Sequence, residues 1–274
     1  MFIIKGTIIG DIVGSIYEWH NIKTKDFPLF QERSRYTDDS LLTVAVADAL
    51  IRLSPTERQE REMVIASVRD RLIEYGSGDI NNWFGKGFRR WVLSEDHAPY
   101  NSYANGAIMR CSAAAWIADS PEEAERLGGW TAMPTHNHPQ AVKAASLLCR
   151  WIYQLRNGMS REDFRAEAEK NYTIPVLDVI RPAYEFDITS EGTLSVSVAA
   201  FCESVDFEDA IRNAVSIGGD SDTIAAVTGS LAEAYYGIPE MLWKQTQSRL
   251  PTQMREVIEK AYELNQDRPL FPVS

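Results

Sequence analysis

The stretch Gly218-Gly219-Asp220-Ser221-Asp222-Thr223 runs straight into Ile224-Ala225-Ala226-Val227, so two carboxylates and a threonine stand at the head of an apolar segment. The same arrangement occurs near the other end of the chain. There Tyr36-Thr37-Asp38-Asp39-Ser40 precedes Leu41, Leu42, Val44, Ala45 and Val46. Both read as starts of buried helices. Asp, Ser and Thr are favoured at helix N-caps, and acidic side chains suit the positive end of the helix dipole. One cap needs one side chain, however, and each cluster supplies two carboxylates and a threonine. Like charges about 4 Å apart at an effective dielectric of about 20 repel by roughly 4 kcal/mol, so four gathered carboxylates need protons or cations. Hard oxygen ligands without Cys or paired His favour Mg²⁺, Mn²⁺ or Ca²⁺ over Zn²⁺. Four carboxylates and two hydroxyls are enough for two ions.

Outward from these clusters, most of the chain reads as helix. Ser40 to Leu53 is apolar around most of its circumference. Val64, Val68 and Leu72 mark an amphipathic helix between Glu57 and Tyr75, which Gly76 to Gly78 is expected to break. Ala107 to Ala118 is small and apolar, and Pro139 to Leu155 puts Val142, Ala145, Leu148 and Ile152 on one face. Asp206 caps a helix through Ile217, and Pro239 and Pro251 suit helix first turns. Leu194 to Val198 alternates as a strand would, but its helical surroundings favour a helix. No Pro-, Gly- or Ser-rich linker divides the 274 residues, so one domain over 1–274 is expected.

Composition narrows the function classes. The formal net charge of -11 disfavours non-specific binding to nucleic acid or anionic membranes, both of which need clustered Lys and Arg. Cys111, Cys149 and Cys202 form neither a disulfide framework nor a metal knuckle, as expected of buried thiols in a reducing cytoplasm. No signal-peptide pattern or membrane-length apolar run is present.

Three further segments carry chemistry. Gly10-Asp11-Ile12-Val13-Gly14-Ser15-Ile16-Tyr17-Glu18-Trp19-His20 has glycines suited to close helix packing; if it is one helix, Asp11 and Glu18 share a face. Asn101-Ser102-Tyr103-Ala104-Asn105-Gly106 contains an Asn-Gly turn, whose backbone N–H groups also suit a phosphate. In Thr135-His136-Asn137-His138-Pro139, a hydrogen-bonding His fits a loop entering a helix better than a metal pair does.

Taken in order, Gly10 to Glu18, Thr37-Asp38-Asp39, Asn105-Gly106 with Met109-Arg110, Thr135-His136, and Gly218 to Thr223 resemble the motifs of ADP-ribosylglycohydrolases. The resemblance covers about residues 6 to 240. It implies an all-α fold, a compact orthogonal helical bundle with two divalent cations, usually Mg²⁺ and in some members Mn²⁺. It implies Thr37, Asp38, Asp39, Asp220, Asp222 and Thr223 as metal ligands, and Gly87, Ser102, Tyr103, Asn105, Gly106 and His136 as the lining of an ADP-ribose pocket. The N-terminal motif is most similar to the branch that cleaves O-linked ADP-ribose, from serine, acetyl or poly(ADP-ribose) linkages. Glu18 matches that branch's catalytic glutamate, which sits on a mobile loop and can gate the metal site.

Two departures qualify the resemblance. Arginine-directed members of the nitrogenase-regulating type carry an acid in a loop that here reads Trp83-Phe84-Gly85-Lys86-Gly87-Phe88-Arg89-Arg90, without a carboxylate. Ala104 stands where the family often has Gly. The expectation is therefore a cytoplasmic, monomeric, metal-dependent hydrolase acting on ADP-ribosylated proteins or small ADP-ribose conjugates. An arginine-linked ADP-ribose hydrolase and a non-catalytic ADP-ribose-binding relative are the alternatives.

Overall fold

A computed structural model describes residues 4–78 and 84–264, and within them fourteen α-helices and two 3₁₀ turns but no sheet. Trp83 of the loop discussed above lies outside the described residues. In chain order the helices are α1 (Lys5–Gly14), α2 (Asp38–Arg52), α3 (Arg61–Gly78), α4 (Lys86–Val92), α5 (Ser112–Ile117), α6 (Pro121–Ala132) and α7 (Pro139–Arg156). They continue with α8 (Arg161–Glu169), α9 (Leu177–Ile180), α10 (Ser190–Cys202), α11 (Phe207–Ile217), α12 (Ser221–Tyr236), α13 (Glu240–Gln247) and α14 (Thr252–Glu263). Among the described residues no helix is long and apolar enough to cross a membrane.

The centre of the fold is the contact between α1 and α12. Gly6, Gly10 and Gly14 recur every fourth residue and line one side of α1. A Cβ at Gly6 or Gly10 would overlap the backbone carbonyl of Gly229 or Ala225, and one at Gly14 would lie 2.5 Å from Asp222 Cα. The backbones therefore meet directly, and α1 ends against the first turn of α12. That contact brings Asp11 and the following turn up to Asp220 and Asp222. Ile8, Ile9, Ile12 and Val13 form the apolar surface of α1, all fully buried.

Local signals start several helices, at Asp206 as the sequence implies and at three further caps. Ser120, Ser160, Thr189 and Asp206 each accept a hydrogen bond from a backbone N–H in the first turn of α6, α8, α10 and α11. Pro239 and Pro251 stand immediately before α13 and α14.

Three readings need correction or refinement, and a fourth, the helix at Leu194 to Val198, holds. Gly76 does not break α3; a Cβ there would meet Val92 Cγ2 at 2.9 Å, so this glycine makes room for α4. The helix from Gly10 stops at Gly14, and Glu18 follows in a turn closed by Tyr17 N–H donating to Gly14 O at 2.8 Å. The 107–118 segment is a 3₁₀ turn (Asn105–Ala107) followed by the short α5. Leu194 to Val198 lies inside α10. Its apparent alternation comes from Ser195 and Ser197, whose hydroxyls donate to Glu191 O (2.9 Å) and Thr193 O (2.8 Å) one turn back, a pattern that lets serine sit in a buried helix.

Candidate active site

The two acidic helix starts converge. Oxygens of Asp11, Asp39 and Asp222 lie within 4.8 Å of one another, and so do oxygens of Glu18, Asp220 and Asp222. Three elements contribute: the end of α1 with its turn, the start of α2, and the start of α12. Asp38 belongs to neither group but feels the charges of Asp11, Asp220 and Glu18.

Helix capping consumes little of this oxygen. At α2 the cap is Thr37, whose hydroxyl oxygen accepts from Asp39 N–H at 3.3 Å, leaving both aspartates free of that duty. At α12 the cap residue Asp220 makes no capping bond; its Oδ2 instead accepts from Asn105 Nδ2 at 2.7 Å. Thr223 Oγ1 donates to Asp39 Oδ2 at 3.2 Å and so ties the two helix starts together.

Asp11 has a different job from its neighbours. It accepts from Thr37 N–H (2.9 Å), Thr37 Oγ1 (2.7 Å) and Ser40 N–H (3.1 Å), and from the Ser40 hydroxyl. Although it stands close enough to Asp39 and Asp222 to share an ion, this saturation makes it the anchor of the α2 N-terminus. The Thr37 hydroxyl, donating to Asp11 and accepting from Asp39 N–H, keeps one lone pair for a further partner.

Burial raises every carboxyl here toward its neutral form, and at Glu18, Asp38, Asp39 and Asp222 the neighbouring carboxylates add to it. Asp38 is pushed up to about 8 by burial, then by Asp11 and Asp220. Glu18 is pushed up to about 7 by burial, then by Asp220 and Asp11. Asp39 and Asp222 are driven well above the carboxylate range by burial, with like charge from Asp11 and from Asp220 next in size. Asp220 and Asp11 are raised by burial. Asp39 Oδ1 is buried without a hydrogen-bond partner. An orphaned carboxylate oxygen, hard oxygen donors throughout and an excess of like charge together fit divalent cations.

Beside the cluster lies a second constellation. Asn105 joins the two, since its amide also donates to Thr193 Oγ1 at 3.2 Å. The turn it sits on is rigid: Asn101, Ser102, Ala104 and Asn105 N–H groups donate to Asn137 Oδ1, Thr135 O, Ser102 Oγ and Ile188 O. Those four donors are thus already engaged, leaving fewer for a phosphate than the sequence alone implied. A Cβ on Gly106 would lie 3.0 Å from His136 Nε2, so this glycine admits the imidazole. Gly87 likewise packs under Tyr100, whose ring stands 6.1 Å from that of His136. Ser102 is half-buried, and Tyr103 is exposed against His138, ring centroids 5.6 Å apart. His138 accepts from Gln140 N–H at the start of α7 and joins no metal group among the described residues.

Sequence reasoning gave no role to two contributors, quoting Arg110 only within a motif. Arg110 is fully buried, donates from Nη2 to Thr135 Oγ1 at 2.6 Å, and leaves Nε and Nη1 without partners. Thr135 Oγ1 in turn contacts His136 Nδ1 at 2.7 Å. Burial, then Arg110, holds His136 well below the usual imidazole range, so this is a neutral hydrogen-bonding His. The second is Asn21, whose amide bridges the Glu18 turn and Gly219; only its closeness to Glu18 in sequence hinted at this.

The whole chain compares well with known proteins. It is 26% identical to "ADP-ribosylarginine hydrolase Tri1" of Pseudomonas putida (strain GB-1), over 86% of this chain and 70% of that protein. It is 29% identical to "ADP-ribosyl-[dinitrogen reductase] glycohydrolase" of Rhodospirillum rubrum, over 60% of this chain and 57% of that protein. With "ADP-ribosylhydrolase ARH3" of Mus musculus it shares 22% identity, over 88% of this chain and 85% of that protein. A solved structure titled "ADP-ribosylglycohydrolase-related protein complex" has the same fold, with a TM-score of 0.68 at 21% identity over 96% of both chains. The family model described as ADP-ribosylglycohydrolase matches residues 3–270. Nearly the full length is thus accounted for by one family, and the chain belongs to the ADP-ribosylglycohydrolases.

Proposed function

We propose that this chain hydrolyses the bond between ADP-ribose and an O-linked acceptor such as serine or acetyl, on ADP-ribosylated proteins or small ADP-ribose conjugates. The observation that carries the reading is the position of Glu18, with an oxygen within 4.8 Å of oxygens of Asp220 and Asp222. The sequence from Phe84 to Arg90, which leads into α4 rather than forming the expected loop, has no carboxylate, and this supports the same branch.

In this reading Thr37, Asp38, Asp39, Asp220, Asp222 and Thr223 hold two divalent cations, Mg²⁺ ahead of Mn²⁺. The cations would supply charge compensation, fix ribose hydroxyls and polarise water. Gly87, Ser102, Tyr103, Asn105, Gly106 and His136 receive ADP-ribose, with neutral His136 hydrogen-bonding. Glu18 is the proton acceptor. Without cations burial, then Asp220 and Asp11, favour the protonated form; opposite charge nearby returns it to the carboxylate at pH 7. It then takes a proton from water, and can return one to the leaving oxygen.

A second reading, an arginine-linked acceptor, draws support from the 26% identity to an ADP-ribosylarginine hydrolase. One experiment separates the readings: turnover of serine-, acetyl- and arginine-linked ADP-ribose in parallel, by wild type and Glu18→Gln. General acid–base help is worth about 10² to 10⁴ in rate. The expected result is turnover of the O-linked substrates and a loss of about that size in kcat for Glu18→Gln, with ADP-ribose affinity changed far less. Turnover of the arginine-linked substrate alone would favour the second reading. Full activity of Glu18→Gln would remove Glu18 from the chemistry.

A further inference from the structure

The turn that carries Glu18 is pinned to the loop that carries Asp220, across 198 residues of sequence. Asn21 makes the pin. Its Nδ2 hydrogens are shared among Tyr17 O (2.8 Å), Glu18 O (2.9 Å) and Gly219 O (3.0 Å). Its Oδ1 accepts from Gly219 N–H at 2.7 Å. One planar amide thus closes a reciprocal pair with Gly219 and holds the carbonyl of Glu18 itself.

Lys23 adds a second pin. Its Nζ donates to Ile217 O (2.5 Å), at the C-terminal end of α11, and to Tyr184 O (2.8 Å). A cation at a helix C-terminus meets unsatisfied carbonyls and the negative end of the dipole. The double glycine is shaped to receive both pins. Gly218 and Gly219 have φ of 76° and 70°, where L side chains are strained. A Cβ on Gly218 would also lie 2.9 Å from Lys23 Nζ and 3.1 Å from Asn21 Oδ1. The glycine pair thus serves the pins as well as the turn.

We infer that Asn21 is a positioning residue that fixes the Glu18 turn to the Gly218–Asp220 loop, so that any motion of the glutamate turn carries the Gly218–Asp220 loop with it. The functional part of this inference rests on the reading of Glu18 as the proton acceptor. Displacing a catalytic group by about 1 Å costs on the order of 100-fold in rate, so a hydrogen-bonded brace beside Glu18 matters even though it touches no substrate. Asn21 is exposed and sits outside the core, so its replacement leaves the apolar packing intact.

The test uses the full chain with Asn21→Ala, and with Asn21→Asp, which keeps the shape and the acceptor but loses the N–H donors. Amide hydrogen exchange is followed at Gly219, Tyr17 and His20, and kcat and KM on the substrate that the wild type turns over. Exchange at Gly219 and in the 17–20 turn should accelerate together in Asn21→Ala. The fall in kcat should be about 10- to 100-fold, with KM changed by less than about 3-fold. Asn21→Asp, which sets a carboxylate oxygen against the three carbonyls that the amide N–H groups satisfied, should lose at least as much as Asn21→Ala in both readouts. In a Glu18→Gln background, Asn21→Ala should cost little more, because the two act through one group. Exchange that changes at Gly219 alone would overturn the mechanical coupling. A loss that multiplies in full with Glu18→Gln would overturn the action through Glu18. If Glu18→Gln is itself fully active, the functional reading has failed, and the exchange data still decide whether the pin exists.

Discussion

Two consecutive helices begin on aspartate and use it in opposite ways. Asp206, ahead of α11, is exposed and accepts from Asp209 N–H at 2.8 Å, an ordinary N-cap in water. Asp220, ahead of α12, is buried, makes no capping bond, and turns its oxygen to Asn105 at the edge of a carboxylate cluster. The local sequences give both a capping role; burial and company separate them. An aspartate that forgoes the cap and stays buried among like charges is held there for something the helix does not need.

The hardest test of this contrast falls within the cluster. Asp222→Ala removes the residue common to both carboxylate groups, and turnover should be abolished while the circular dichroism of the helices is retained. Activity near wild type would mean that the cluster is an accident of packing.

Glu233 asks whether burial alone, without clustering, gives the same electrostatics. It is buried, accepts from Gly6 N–H at 2.9 Å, and its Oε1 has no partner. Burial pushes it up to about 7, against the pull of the Gly6 hydrogen bond and Lys5. A carboxyl raised in the folded state stabilises fully below its unfolded value of about 4.3 and loses that contribution as pH rises through about 7. With Mg²⁺ in excess to fill the cluster, stability should therefore fall by roughly 2 kcal/mol from pH 5 to pH 8.5. Glu233→Gln should flatten that slope, as read by urea midpoints. An unchanged slope would place the titration elsewhere.

His136→Ala takes the contrast to the neighbouring pocket. ADP-ribose affinity should weaken about tenfold, near 1.4 kcal/mol, with metal binding unchanged, both measured by calorimetry. Unchanged ADP-ribose affinity would misplace the pocket. At the small end, Asp206→Ala should cost about 1 kcal/mol of stability and no activity. A loss of turnover would mean that the two aspartates are not as different as their surroundings imply.

Much of this architecture was legible in the sequence because it rests on local chemistry. The cap at Asp206, the prolines at Pro239 and Pro251, the apolar run after Asp39 and the carboxylates before Ile224 all announce helix starts within a few residues. The acidic character of the site was legible for the same reason. What was not legible depends on partners distant in sequence. The glycines of α1 imply close packing, but nothing local names Gly229, Ala225 and Asp222 as the surfaces they meet. Gly76 reads as a helix breaker unless the side chains of α4 are known to press on it. Asp11 reads only as a residue on the same helix face as Glu18 until Thr37 and Ser40 are seen to saturate it. Arg110 gives no local sign of full burial, because an arginine inside a protein is stable only through partners that the fold supplies.

The most direct measurement is thermal unfolding against divalent-cation concentration for wild type, Asp206→Ala and Asp220→Ala, each started metal-free and titrated with Mg²⁺ and then Mn²⁺. An ion that binds only the folded state raises the melting temperature with its concentration. Wild type and Asp206→Ala should show the same concentration-dependent rise, the latter from a slightly lower starting point. Asp220→Ala should show little or none. A full rise in Asp220→Ala, or none in the wild type with either ion, would contradict the assignment of the α2 and α12 helix starts as a metal centre.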